Sequence, residues 1–329
     1  MSQTASADSP IRAVHIVSSV DGKTASDAPK RARSKQAVEL FAVIETSDRS
    51  LFSDAGEISL GGRVRASKPL SAGPTAILMW HKVEPTLETM SNEASGRFRF
   101  ETIDYAETTL LWSSGKSKIR ADVRPTRTTD RGDGVGTMRY KLTALTGHGV
   151  FTTPGSEARA GRGTGGLLDS VHRVTMRRDD SYIGFLTELY GQPYIWASAG
   201  TSPRRHQSER LEGSDCADFV VYGRRRMGSR IPYTWTGALP EYTRLLARRA
   251  TANKAGVYTD DRGEPVKFPK VGDIVLFPRH VGVLTEDRGT IGVLDHADVM
   301  MHSYFASPRE QSLGDSDYAS RWIEVRRWR

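Results

Sequence analysis

The chain has 329 residues, enough for two domains with cores of their own, and its apolar fraction of 37% is that of an ordinary folded protein. Lys and Arg outnumber Asp and Glu by 47 to 39, but the excess divides evenly, 23 against 19 before Val171 and 24 against 20 from it onward, so no basic tail and no specific nucleic-acid motif stand out. A single cysteine, Cys216, excludes an intrachain disulfide and a cysteine-rich zinc site, and no run of about 18 apolar residues is present to span a membrane.

The polar start, Met1 to Pro10, lacks the apolar core of a secretory signal. Three expectations stay open: a cytoplasmic protein, export without a cleavable signal, or a chain trimmed at its start. Residues 1–36 are mostly polar and are expected to be partly disordered around Lys30-Arg31-Ala32-Arg33. Short β-type segments then recur at 38–46, 57–66, 76–80, 97–102, 109–112, 118–123 and 138–145, with Ser95-Gly96 marking one of the breaks. That spacing, without an amphipathic helix, predicts an all-β, sandwich-like domain over 37–151. Residues 152–166, with Pro154-Gly155 and a glycine run from Gly161 to Gly166, read as a flexible linker. They lack the Lys-Ser/Thr that a phosphate-cradling loop needs.

A second domain is expected over 167–329. Residues 167–176 and 181–190 place apolar side chains at helical intervals, Ile183, Leu186 and Leu189 among them, and Gly191 with Pro193 supplies a stop. Another helix is expected over 216–227, with Gly228 after it and Arg224, Arg225 and Arg226 suited to its negative end. Strands are expected at 273–277, 280–286, 290–294, 299–305 and 321–327, with a turn at Asp287-Arg288-Gly289. Helices followed by a meander of strands predict an α+β domain.

The chemistry centres on Cys216, in Gly213-Ser214-Asp215-Cys216-Ala217-Asp218, where a loop runs into a helix. A free cysteine is most often a small buried hydrophobe, here beside Phe219 and Val220. Against that, unpaired N–H groups and the positive dipole end at a helix start favour thiolate. Thiol chemistry on an acyl group also needs a base and a group that orients the base. His280, opening a strand after a short turn, is the best candidate base, and His302 on a later strand can orient it. His296 is an alternative third member. His296 and His302 lie six apart, which is not a metal spacing. Asp215 reads as the N-cap of the Cys216 helix. His15, His81, His148, His172 and His206 stand alone and read as surface or satisfied core residues.

Five segments in order complete the pattern: Gln192-Pro193-Tyr194-Ile195-Trp196, Asp215-Cys216, Gly272-Asp273-Ile274-Val275-Leu276-Phe277, His280-Val281-Gly282-Val283 and Met301-His302-Ser303. Over residues 180–327 or so the chain resembles the NlpC/P60 superfamily of papain-like cysteine peptidases. The family's common DCSG is Asp215-Cys216-Ala217-Asp218 here, and the arginine-rich stretch 201–210 is an insert. The resemblance implies an α+β papain-like catalytic domain, with a helix-borne cysteine packed on an antiparallel sheet, after the sandwich-like domain. It implies Cys216 as nucleophile, His280 as general base and acid, His302 as orienting member, and Tyr194 beside the thiol. The Cys216 amide is the implied oxyanion donor, and Ser214 and Asp215 are candidate substrate contacts. No metal or cofactor is expected.

The activity so implied is a hydrolase cleaving amide bonds through a thioester acyl-enzyme, with bacterial cell-wall peptide as substrate. Two alternatives remain: an effector-type deamidase or acyltransferase, and a binding protein on a decayed peptidase scaffold. Oligomeric state is not indicated.

Overall fold

The computed structural model describes residues 10–94, 97–98, 103–160 and 166–329. The expected turn at Ser95-Gly96, most of the 97–102 strand and the glycine run 161–165 lie outside the described residues, as do residues 1–9.

Two curled sheets fill the first half. In one, Lys118–Arg120, Val38–Thr46 and Ile11–Val20 lie side by side, continued by Ala25–Ser26, Glu57–Leu60 and Arg63–Ala66. In the other the order is Tyr105–Thr109, Ile77–Pro85, Gly136–Thr146, His172–Arg177 and Lys30–Arg33. Inward residues of both sheets share one core: Ile16, Leu40, Ala42 and Ile44 from the first meet Trp80, Tyr140, Leu142 and Val174 from the second. Alternation along the strands places those side chains on the facing surfaces.

Two segments depart from expectation here. Lys30–Arg33 is a strand in parallel register with His172–Arg177, Ala32 opposite Met176. His172–Arg177 itself falls in a stretch expected to be helical. Its alternate residues Val174 and Met176 pack into the sandwich core while it pairs with Gly136–Thr146, so a two-residue period governs it.

The third sheet carries the site. Its order is Tyr258–Thr259, Thr243–Ala252, Ile323–Trp328, Ile274–Leu276, Val281–Glu286, Val299–His302 and Arg309–Ser312. Period-two alternation divides its faces. Ile274, Leu276, Val281, Val283 and Met301 face helix α2, Cys216–Arg226, whereas Val275, Phe277, Leu284, Met300 and Val325 build a separate cluster on the other face. Residues 290–294, expected as a strand, form none.

Helix α1, Tyr182–Leu186, is only five residues long and passes directly into the 3-10 turn Thr187–Leu189. It crosses α2 closely at Gly223, where a Cβ would come 2.6 Å from the Tyr182 ring. The expectation of an α+β papain-like domain is therefore corrected. Strand accounts for 41% of the chain and helix for 11%, in curled sheets with a few short helices. The apolar spacing at 183–189 ends at Gly191, and the later part of that at 167–176 belongs to the strand His172–Arg177, so no helical layer forms among the described residues. No helix of the described residues is long and apolar enough to cross a membrane.

The halves are tied together by backbone and charge. Thr89–Ser91 pairs in parallel with Tyr194–Trp196. Glu188, with no exposed side-chain surface, accepts hydrogen bonds from Arg31, Arg177, Arg226 and the Tyr222 hydroxyl.

Candidate active site

Cys216 is the first residue of α2, and Asp215 is its N-cap: Asp215 Oδ1 accepts from the amides of Ala217 at 2.9 Å and Asp218 at 2.8 Å. The preceding loop is clamped onto the Tyr194–Trp196 strand. Ser214 N donates to the Pro193 carbonyl at 3.3 Å, and Ile195 N donates to the Ser214 carbonyl at 3.1 Å. Gly213 makes this approach possible, with φ of +147° and a Cβ position only 2.5 Å from the Pro193 oxygen. Ser303 Oγ adds a bond to the Ser214 carbonyl from the end of the Val299–His302 strand.

Helix α2 packs on the strands Val281–Glu286 and Val299–His302, which brings the thiol to the sheet that bears both expected histidines. Val281, one residue after His280, opens the strand against which α2 packs. His280 is fully buried, stacked on Tyr318 and flanked by Phe277 and Tyr304. Its Nε2 lies 2.7 Å from His302 Nδ1, while its buried Nδ1 has no hydrogen-bond partner among the described residues. His302 Nε2 lies 3.0 Å from Gln311 Oε1. Of the two candidate third members, His302 is the one beside His280. His296 instead packs edge-on against Tyr258.

Electrostatically the centre is neutral. Burial foremost, then the Asp215 charge, pushes the Cys216 thiol far up, and the amides of Val281 and Cys216 oppose this only in part. The dipole argument for a free thiolate therefore fails for this closed arrangement, because desolvation is the larger effect. Burial also holds His280 well below its ordinary range, assisted by His302 and Arg309, and brings His302 down to about 4, assisted by Arg309. Asp215 is pushed up by burial and by neighbouring Asp218.

Tyr194 is buried, its ring 5.3 Å from that of Phe305. Burial and then the Cys216 and Asp215 charges keep its phenol protonated. Ser214 Oγ is buried with no partner among the described residues, so this side chain is part of the packed loop. Asp215 lines a cavity of about 590 Å3 together with Asp218, Ser198, His206, Tyr233 and Trp235.

Of two further residues in this region, His206 is a buried, partnered histidine as expected, and Gln311 escaped sequence reasoning. His206 stacks on Tyr233 with ring centroids 3.7 Å apart and lies 3.4 Å from Asp218, deep in a polar insert with no periodic signal. Gln311 sits on an edge strand, Arg309–Ser312, whose four polar residues carry no apolar pattern to mark it. Among the described residues no group of three or more His, Cys, Asp or Glu could hold a metal ion. No family model, no curated protein and no solved structure matches this chain.

Proposed function

We propose that this protein is a cysteine hydrolase that cleaves amide bonds through a thioester acyl-enzyme, and that its substrate is a bacterial cell-wall peptide. The observation that carries the reading is His280: a neutral imidazole held at Nε2 by His302, one residue before the strand on which the helix opened by Cys216 packs. The five segments that resemble NlpC/P60 peptidases support the activity, and the cell-wall substrate rests on that resemblance.

With thiol and imidazole both neutral at rest, proton transfer accompanies attack. His280 Nδ1 takes the Cys216 proton as the sulfur bonds to the substrate carbonyl carbon. The oxyanion falls to the Cys216 amide, which the Asp215 cap leaves out, since that cap takes only Ala217 and Asp218. His280 then returns the proton to the departing amine, and water, deprotonated by the same nitrogen, hydrolyses the thioester.

One observation favours a second reading, a peptide-binding protein without turnover: Cys216 is only 5% exposed. Incubation with defined muropeptides, followed by mass spectrometry of the products, separates the two. Cleavage that disappears in Cys216→Ala supports the hydrolase. Retention of intact fragment by both forms supports the binding protein.

A further inference from the structure

The Gln311 amide is oriented by two groups other than histidine. Its Nε2 donates to the Asp315 carbonyl, and its Oε1 accepts from Arg309 Nε at 3.3 Å. Turning the amide over would set an NH2 against a guanidinium N–H and an oxygen against a carbonyl oxygen, so Oε1 must face His302. An amide oxygen only accepts. His302 therefore carries its proton on Nε2, 3.0 Å from Gln311, and presents a lone pair at Nδ1. That lone pair faces His280 Nε2 at 2.7 Å, which must be the donor. A neutral imidazole protonated at Nε2 is bare at Nδ1, and His280 Nδ1 is a buried atom with no partner among the described residues.

We propose that Gln311 is a positioning residue for the Cys216 site: through His302 it selects the one His280 tautomer whose Nδ1 can accept the thiol proton. The tautomer assignment follows from the hydrogen bonds between two rings that burial keeps neutral, and its role in turnover rests on the hydrolase reading above. The groups that face the two rings are Tyr304 and Tyr318, with Phe277 also against His280. Arg309 is the charge that acts on both, and it favours neutral rings. With both rings neutral, proton location is a choice of tautomer. Gln311 makes that choice.

The test is 15N NMR of the full chain labelled at histidine, with His280 and His302 identified by loss of their signals in H280Q and H302Q. At neutral pH both rings should be protonated at Nε2 and bare at Nδ1. Gln311→Glu should keep that pattern, because a carboxylate also only accepts. Gln311→Met should give mixed tautomers at both rings and slow iodoacetamide alkylation of Cys216 by about 10-fold to 100-fold, the usual range for lost outer-shell partners. A proton on His280 Nδ1 in the unmodified protein overturns the assignment. So does a Gln311→Met variant whose rings are unchanged, and if that variant does not fold, a Gln311→Glu variant with altered tautomers serves the same end. Should the tautomers hold while no muropeptide is cleaved, the relay stands and the hydrolase reading falls.

Discussion

The Tyr318 ring lies flat on the His280 imidazole, centroids 4.8 Å apart and planes 14° from parallel. Tyr318 is itself half-buried, so it stands between this imidazole and solvent. Because burial is the leading cause of the depressed His280 pKa, Tyr318→Ala should let water reach the ring and move its titration up toward the ordinary value. NMR titration of His280 measures this directly. An unchanged midpoint would show that the ring's neutrality has another origin.

Asp215 does two separable jobs. As N-cap it satisfies two amides, so Asp215→Ala should lose about 1 kcal/mol in chemical denaturation while Asp215→Asn retains most of that. Its charge also opposes thiolate formation. At a pH where Asp215 is ionised, Asp215→Asn should therefore alkylate faster with iodoacetamide than the unmodified protein. Equal rates would remove Asp215 from the electrostatics of the sulfur.

Gly213→Ala combines a left-handed backbone with a steric clash, its Cβ meeting the Pro193 oxygen at 2.5 Å and Ile195 Cδ1 at 2.6 Å. We expect a loss of roughly 2–4 kcal/mol in urea unfolding, from strain and overpacking together. Cys216 should become more accessible to alkylation as its loop leaves the Tyr194 strand. A variant as stable as the parent would mean the loop relaxes freely.

How much of this was legible in the residues can be judged element by element. Val38–Thr46 and the Cys216–Arg226 helix carry their own signals, a dense apolar run in one and an Asp cap with a following Gly228 in the other, and both form where local chemistry places them. His172–Arg177 does not. Its apolar residues suit a helix or a strand equally well, and the decision comes from Tyr140 and Ala32 on partners distant in the chain. Thr243–Ala252 hides similarly behind Arg244, Arg248 and Arg249, which interrupt alternation on a strand with few buried side chains. At the site, the residue types needed for acyl chemistry pointed to Cys216, His280 and His302. The state of the thiol was not readable, because burial is a property of the whole packed neighbourhood.

His172 provides a pH test far from the thiol. It sits buried in the sandwich, Nε2 2.9 Å from Ser18 Oγ, and burial followed by the Lys30 charge lowers its pKa to about 4. The folded protein thus refuses a proton that the unfolded chain accepts below about 6.5, so stability present above that pH is lost as pH falls toward 4. For one group shifted this far the loss is roughly 3 kcal/mol. Replacing His172 with Gln should flatten the stability profile across this window by that amount. A profile of unchanged slope would show that His172 takes its proton without unfolding.

The small parallel pairing of Thr89–Ser91 with Tyr194–Trp196 has a consequence for engineering. The Tyr194 amide donates to the Glu88 carbonyl on one flank, and Tyr194 bridges to Ser214 on the other, so the strand that clamps the Cys216 loop is held partly by the amino-terminal half. A shortened gene encoding only the carboxy-terminal half would deliver both histidines and the thiol, yet leave the tyrosine's strand with a bare edge. Whatever chemistry resides in this protein belongs to the undivided polypeptide.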